Sequence, residues 1–301
     1  MPLPDAEVSI DEARAAALIA AAFPRLSGRP VRALGSGYDN AAFLVDERTV
    51  FRFPRRRAAV FFLERELAVL PSLALPVATP KPRFASPPRD GFPFPFAGYP
   101  LLEGAPAGVI AAEAQPGIAE ALGETLRALH GLSLDVDGAP AEGLDKTDRA
   151  RALRRLRLRL RRMERQGKVR GAGRIFELAG RLAEGPDAVD ARWVHGDLYP
   201  KHLLLDEGGR LSGVIDWGDV HVGDPAIDLA IAYGAFDPPA RARLFAALGP
   251  VDEAAHRRAR FFALWYGVVL GDFGAAEGMD DLVAIGREWL RRRLSEEEED
   301  R

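Results

Sequence analysis

Apolar and polar positions in the first third of the chain follow two different periods. Residues 10–23 are rich in Ala and have helical spacing, and Ser9 with Glu12 matches a capping box at the start of that helix. From Val31 to Phe53 the pattern alternates around a glycine-rich turn and an Asp-Glu-Arg turn. Such alternation predicts three short strands in a small antiparallel sheet.

Helical spacing returns at residues 58–70, and the proline-dotted stretch 76–100 then has room for one or two more strands. Beyond Glu103 the helical period dominates, with apolar stripes that predict helices at 118–131, 148–165 and 173–184. We therefore expect a first region to end near Glu103-Gly104.

One stretch of the second region breaks the helical period. The segments 203–205 and 211–215 are apolar and flank the turn sequence EGGR, which predicts a β-hairpin before helices resume near Pro225. Together these patterns predict an α+β fold with two lobes: residues 1–103 with a small antiparallel sheet, and residues 104–301 mainly helical.

Composition narrows the classes of protein that this chain can represent. The chain has 301 residues, 48% of them hydrophobic, which is enough for one large domain or two lobes. It has no Cys, which excludes disulfides, thiolate nucleophiles and cysteine-ligated zinc. The start of the chain does not resemble a secretory signal, and the longest apolar run, 261–270, is about half of the ~20 residues that a membrane helix needs. We expect a cytoplasmic protein with no membrane partner.

Charge is unevenly distributed although the net charge is only −3. Residues 149–174 carry twelve basic side chains and one acid, Glu164, on a helical pattern. A solvated helix face explains this segment, with contact to an anionic ligand as the alternative. Because the whole chain is close to neutral, we predict no nucleic-acid partner. Separately, we expect a monomer.

Two acids border the predicted hairpin. Asp197 precedes its first strand and Asp216 follows its second, so both carboxylates are expected at the same end. Phosphoryl transfer needs such a pair: one carboxylate orients a hydroxyl nucleophile and the other holds a divalent metal on phosphate oxygens. Alone, each Asp could equally be a turn or cap residue.

The sequences HGDLYPKHLLLD (195–206) and GVIDWGDVHVGDPAIDLA (213–230) resemble the paired signature of the aminoglycoside phosphotransferase family, small-molecule kinases with a protein-kinase-like fold. The resemblance implies that Asp197 is the catalytic residue and that Asp216 binds magnesium. It also implies a second metal ligand five residues after Asp197, where the family usually has Asn and this chain has His202.

His202 allows two interpretations. Mg²⁺ prefers oxygen ligands, so a His could mark an impaired enzyme. Alternatively it is a subgroup trait, because macrolide phosphotransferases are similar to this chain in carrying HGDLY followed by His at the same offset. We favour the subgroup, in which Asp228 of DPAID and His195 are expected to have structural roles.

The resemblance also implies a nucleotide site in the first region. Gly35, Ser36 and Gly37 form a turn that could cover phosphates. Arg52 occupies the position where the family has a phosphate-binding Lys, since every Lys of this chain lies elsewhere. Its expected partner is Glu66, with Glu64 as the rival, and the hinge to the purine is predicted at Leu101, Leu102 and Glu103.

An acceptor such as a macrolide needs an apolar wall, whereas an aminoglycoside needs acids for its ammonium groups. Residues 258–274 are rich in aromatic side chains, although such residues are more often helix core. We expect several of them to face the acceptor, with the candidates Phe261, Phe262, Trp265, Tyr266 and Phe273.

These features predict a kinase that transfers the γ-phosphate of GTP or ATP, with Mg²⁺, to a hydroxyl of a small-molecule antibiotic, namely the 2'-hydroxyl of a macrolide sugar. One alternative is an aminoglycoside or other small-molecule O-phosphotransferase. Another is a nucleotide-binding pseudokinase, motivated by His202 and Arg52 together.

Overall fold

The computed structural model describes residues 6–133, 148–185 and 189–299. The chain divides into two compact units. The N-terminal unit comprises Leu3–Leu73 and Ala78–Glu103, and the C-terminal unit comprises Met1–Pro2, Ala74–Val77 and Gly104–Arg301.

The N-terminal unit is built on one antiparallel sheet of five strands with two helices. Its strands are β1 (Val31–Ser36), β2 (Asn40–Val45), β3 (Thr49–Pro54), β4 (Phe84–Ser86) and β5 (Phe96–Pro100), in the spatial order β1-β2-β3-β5-β4. Its helices are α1 (Glu12–Ala22) and α2 (Arg57–Val69), each followed by a single 3-10 turn. The three strands and the helix predicted between residues 31 and 70 are confirmed.

Aromatic side chains fill the core of this unit. Phe51 and Phe53 are fully buried on β3, and Phe53 stacks on Phe96 of β5 with ring centroids 4.5 Å apart. The capping box predicted from Ser9 is wrong in detail. Asp11 caps α1 by accepting a hydrogen bond from the N–H of Arg14, because the helix begins two residues later than the apolar pattern suggested.

The C-terminal unit consists mostly of helices. They are α3 (Gln115–His130), α4 (Arg149–Arg165), α5 (Ala172–Ala183), α6 (Ala226–Gly234), α7 (Pro238–Leu248), α8 (Glu253–Glu277) and α9 (Asp280–Glu299). The long helix α8 packs against α9, α6 and α5. No helix in the described ranges combines the length and the apolar composition that a membrane crossing requires.

The basic segment forms α4, and its apolar stripe is buried. Two of its cations, Arg159 and Arg162, contact the carboxylate of Asp272 on α8, which is buried. Several of its other Arg side chains are exposed. The segment is therefore in part a solvated face and in part a charged contact between helices.

In the described part of this unit, five short strands interrupt the helices. β8 (Leu203–Leu205) and β9 (Leu211–Val214) form the predicted hairpin, and β6 (Ala105–Pro106) adds a third strand beside β8. β7 (Arg192–Val194) pairs with β10 (His221–Gly223) in a separate two-stranded sheet. These two small sheets fix the loops on either side of the hairpin.

Candidate active site

The loop that carries Asp197 follows β7 directly. Trp193 and Val194 are buried, so the strand is fixed in the unit up to its last residue. Gly196 has a positive φ of 80°, and a Cβ there would lie 2.5 Å from the carbonyl oxygen of Asp219. Only glycine fits this turn, which brings Asp197 out with its side chain 27% exposed.

Asp228 of α6 holds the backbone of this loop through hydrogen bonds. Its carboxylate is completely buried and accepts hydrogen bonds from the N–H groups of His195 and Gly196 at 2.8 and 2.9 Å. Burial would raise the pKa of Asp228, but the hydrogen bond and charge of His130, whose Nε2 lies 3.2 Å away, help to hold that pKa below its ordinary value. Asp228 is thus a loop acceptor.

His195 is a second brace of the loop. Its Nε2 donates to the carbonyl oxygen of Ile215 at 3.0 Å, and its Nδ1 accepts from the N–H of Asp197 at 3.3 Å. Burial lowers the pKa of His195, with the nearby His202 adding to that effect. A neutral ring with this tautomer links the Asp197 loop to the segment just before Asp216.

The hydroxyl of Tyr266 contacts the carboxylate of Asp197. It lies 3.1 Å from Asp197 Oδ1 and 3.1 Å from the carbonyl oxygen of Gly196. Burial, and then the charge of Asp197, raise the pKa of Tyr266 well above its ordinary value, so the hydroxyl keeps its proton and acts as a donor.

Asp216 lies just beyond β9 in a left-handed backbone conformation, with φ 65°. Asp is one of the few residue types other than glycine that adopt this region routinely, and single residues held there often mark functional sites. The side chain is 45% exposed. A carboxylate presented in this way is available to a cation in solution.

His202 lies between the two acids. Its Nδ1 donates to the carbonyl oxygen of Asp197 at 2.7 Å, and its Nε2 lies 3.4 Å from Asp216 Oδ2. Burial disfavours a charged ring, but the hydrogen bond and charge of Asp216, with Asp197, outweigh burial and raise the pKa of His202. The structure thus brings all three predicted residues of the magnesium and base site together.

Asp216 supplies the oxygen ligand that Mg²⁺ prefers, whereas Nε2 of His202 is a nitrogen donor, which Mg²⁺ takes less readily. Two ligands about 2.1 Å from one Mg²⁺ in octahedral geometry lie about 3 Å apart, close to the Nε2–Oδ2 separation at His202 and Asp216. Within the described residues, no group of three or more His, Asp or Glu side chains is arranged to hold a metal. Two protein ligands are enough for Mg²⁺, because this ion keeps several waters and takes the rest of its coordination shell from phosphate oxygens.

In the N-terminal unit, Arg52 of β3 pairs with Glu66 of α2. Arg52 Nη1 donates to Glu66 Oε1 at 2.7 Å, and the hydroxyl of Tyr99 lies 3.3 Å from Glu66 Oε2. Glu66 is 1% exposed and Arg52 is 19% exposed at the side chain. The rival Glu64 is exposed on the same helix. The ion pair therefore fixes the edge of the Arg52 guanidinium that carries Nη1, and part of the Arg52 side chain stays exposed to solvent.

The glycine-rich turn joins β1 and β2 at the edge of the sheet. A bulge lies between Ala33 and Gly35, and Gly35 has φ 146°. The N–H of Gly37 donates to the backbone carbonyl oxygen of Asn40 at 2.9 Å, and Nη1 of Arg55 donates to the carbonyl oxygen of Gly37 at 2.9 Å. Ser36 and its neighbours are exposed, as are Leu101 and Glu103 in the predicted hinge, whereas Leu102 is half-buried.

The predicted aromatic wall is only partly available. Phe261 and Phe262 are fully buried in the core of the C-terminal unit, so the expectation that Phe261 contacts an acceptor is wrong. Helix α8 is apolar on several faces because it packs against several helices, and its sequence pattern does not mark which face is exposed. The expectation that Tyr266 contacts an acceptor is also wrong, because this residue is buried against Asp197, whereas Trp265 and Phe273 are half-buried.

The model of one family, the phosphotransferase enzyme family (APH), matches residues 30–262. Among curated proteins, the chain is 32% identical over 160 residues to the aminoglycoside 3'-phosphotransferase of Streptomyces fradiae, covering 48% of this chain and 59% of that protein. The curated relatives are matched over 20% to 59% of their own lengths.

Solved structures share the fold over nearly the whole chain. The structure of wild-type aminoglycoside 2'-phosphotransferase-IIIa in complex with GDP is 23% identical, with a TM-score of 0.72 over 96% of this chain and 100% of that one. Macrolide 2'-phosphotransferase type I is 25% identical, with a TM-score of 0.62 over 94% of this chain and 98% of that one. Both kinase-like neighbours support the predicted fold class.

Proposed function

Because the chain belongs to the phosphotransferase enzyme family (APH), we propose that it is an antibiotic kinase. In this proposal it transfers the γ-phosphoryl group of GTP or ATP to a hydroxyl of a small-molecule antibiotic, the 2'-hydroxyl of a macrolide sugar. The observation that carries the proposal is the convergence of Asp197, His202 and Asp216 on one side of the hairpin.

Asp197 is the general base in this scheme. Its carboxylate accepts the proton of the acceptor hydroxyl as the oxygen attacks the γ-phosphorus, and the bond from that phosphorus to the β,γ-bridging oxygen breaks to release the nucleoside diphosphate. The partial exposure of Asp197 gives an acceptor access, while the hydrogen bonds from His195 and Gly196 to Asp228 hold the backbone of its loop in place.

Asp216 and Nε2 of His202 would hold Mg²⁺, which when bound neutralises charge on the phosphate oxygens. His202 would bind the metal as a neutral imidazole: its Nδ1–H donates a hydrogen bond to the carbonyl oxygen of Asp197, and the metal would take the place of the proton that Asp216 favours on Nε2. The subgroup interpretation requires this role of His202, and the pseudokinase interpretation does not.

Arg52 would contact the nucleotide phosphates. Glu66 fixes its guanidinium through Nη1, as a helix Glu does for the phosphate-binding Lys of protein kinases. A guanidinium has five N–H donors, so one group can bind a carboxylate and a phosphate at the same time. The exposed backbone of Gly35 to Gly37 would cover the phosphates.

The macrolide acceptor is supported by the His five residues after Asp197 and by the half-buried Trp265 and Phe273. An aminoglycoside is the second candidate acceptor. It is favoured by the 32% identity to the Streptomyces fradiae enzyme and by the burial of Phe261 and Phe262.

The test is nucleotide consumption by the purified protein with Mg²⁺, offering GTP and ATP separately against macrolides and a panel of aminoglycosides. We expect acceptor-dependent release of nucleoside diphosphate with macrolides, and a product mass increased by one phosphate group at the 2'-position. Turnover with aminoglycosides alone would contradict the macrolide as acceptor and would support the same phosphoryl transfer to an aminoglycoside. Nucleotide binding without turnover on any acceptor would support the pseudokinase and contradict the proposal.

A further inference from the structure

Tyr266 is a buried hydroxyl next to the proposed base, and its role is not explained by core packing. The residue is 2% exposed, yet its hydroxyl reaches both the carboxylate of Asp197 and the carbonyl oxygen of Gly196. On the basis of the proposed function, we infer that Tyr266 is a positioning residue that fixes the plane of the Asp197 carboxylate for proton transfer.

A carboxylate needs such a partner because its last torsion has no sharp minimum. Rotation about χ2 of Asp is a broad, two-fold torsion, so packing at Cβ does not set the direction of the oxygens. The backbone of the loop is held by Asp228, but those bonds end at His195 and Gly196 and do not reach the side chain of Asp197. The Tyr266 bond to Oδ1 acts on the carboxylate itself.

The ring of Tyr266 is well placed to act as a rigid arm. It makes edge contacts with Trp265 and Trp289, with centroids 5.1 and 6.0 Å apart. Next to it, a Cβ on Gly267 would lie 3.0 Å from Leu290 Cγ, so α8 and α9 pack closely at this level. Movement of the ring would have to displace Trp265 or Trp289.

The hydroxyl can also serve Asp197 in both protonation states. While Asp197 is ionised, Tyr266 donates its proton to Oδ1. Once Asp197 has taken a proton from the acceptor, Tyr266 can donate to the carbonyl oxygen of Gly196 and accept from the carboxyl group. The two acceptors at equal distance therefore keep the side chain in one position through the reaction.

The experiment compares Tyr266→Phe with Tyr233→Phe in steady-state kinetics. Tyr233 is a matched control, because it is also buried in the C-terminal unit and its hydroxyl bonds to Nδ1 of His256. We expect Tyr266→Phe to lower kcat about tenfold, with KM for nucleotide and acceptor within twofold of wild type, because the contact orients the base rather than binding substrate. Tyr233→Phe should lower the melting temperature about as much as Tyr266→Phe does, but leave kcat unchanged.

A double-mutant cycle with Asp197→Asn separates positioning from structure. If Tyr266 acts through Asp197, adding Tyr266→Phe to Asp197→Asn should lower the residual rate less than twofold. An equal tenfold loss in both backgrounds would overturn the inference, as would a wild-type kcat in Tyr266→Phe alone. Absence of acceptor-dependent turnover in the wild-type protein would overturn the proposed function and this inference with it.

Discussion

The loop at Asp197 and the glycine-rich turn at residues 35–37 differ in how they are held. The loop is tied to α6 by two N–H bonds to the fully buried Asp228. The turn lies at the edge of its sheet and is exposed. Gly35 and Ser36 pair with Ala42 and Ala41 of β2, and Gly37 donates to the carbonyl oxygen of Asn40 and accepts from Arg55. A base needs a fixed position, whereas a cover for phosphates needs open backbone and room to adapt.

The largest effect is expected at the base. Asp197→Ala should lower kcat about 10³-fold while the nucleotide Kd stays within a few-fold of wild type, because the proton acceptor is lost and the phosphate contacts are not. Turnover and equilibrium nucleotide binding measure this difference. Asp190→Ala, an exposed carboxylate paired with Arg192, is the matched control. Retained turnover in Asp197→Ala would exclude Asp197 as the base.

The next effect concerns the anchor of the loop. Asp228→Asn replaces one acceptor oxygen by a donor that faces an N–H group, which should cost about 2–3 kcal/mol of unfolding free energy and lower kcat tens of fold. Chemical denaturation and kinetics check both parts. Asp206→Asn, where the carboxylate closes an exposed turn, should cost less than about 1 kcal/mol. If Asp228→Asn and Asp206→Asn lowered the free energy of unfolding equally, Asp228 would be no stronger an anchor than the exposed turn residue Asp206.

In the N-terminal unit we expect effects on KM instead. Arg52→Lys keeps the charge but loses the fixed planar fork, so KM for nucleotide should rise about tenfold and kcat should fall less than threefold. Arg32→Lys is the control, since Arg32 makes an exposed pair with Glu47 in the turn between β2 and β3. If Arg52→Lys changed kcat alone, Arg52 would not be a binding residue.

The smallest effect is expected in the turn itself. Gly35→Ala meets no neighbouring atom, but its φ of 146° strains any side chain, so the turn should shift at a local cost of about 1 kcal/mol. KM for nucleotide should rise about threefold with kcat unchanged. Gly209→Ala in the β8–β9 turn has φ 72° and equally open space, and should destabilise without changing KM. A larger kcat effect at Gly35 would mean that the turn is part of the fixed machinery.

The elements with a long or sharp pattern could be predicted from the sequence. The alternation at 31–53, the apolar stripes of the helices and the hairpin around EGGR all recur in the structure. The strands β6, β7 and β10 could not be predicted, because two or three residues are too few to show a period.

At the site, the contacts of Asp228 and Tyr266 were beyond sequence reasoning. Both pair with the Asp197 loop across a separation of 32 to 70 residues, and such long-range partners leave no local pattern. The prediction that Phe261 contacts the acceptor is wrong for a related reason: a helix that packs against several neighbours has no polar stripe to mark its exposed face.

The left-handed backbone of Asp216 has a consequence for how such a protein can evolve. Asn and Gly tolerate φ near 65°, so either can replace Asp216 without backbone strain and remove only the carboxylate. At Asp228 the same replacements disturb a buried network. If Asp216 holds the proposed metal ion, a lineage can lose that ligand in one step and keep a stable fold, which opens a short path to a folded descendant with a new role.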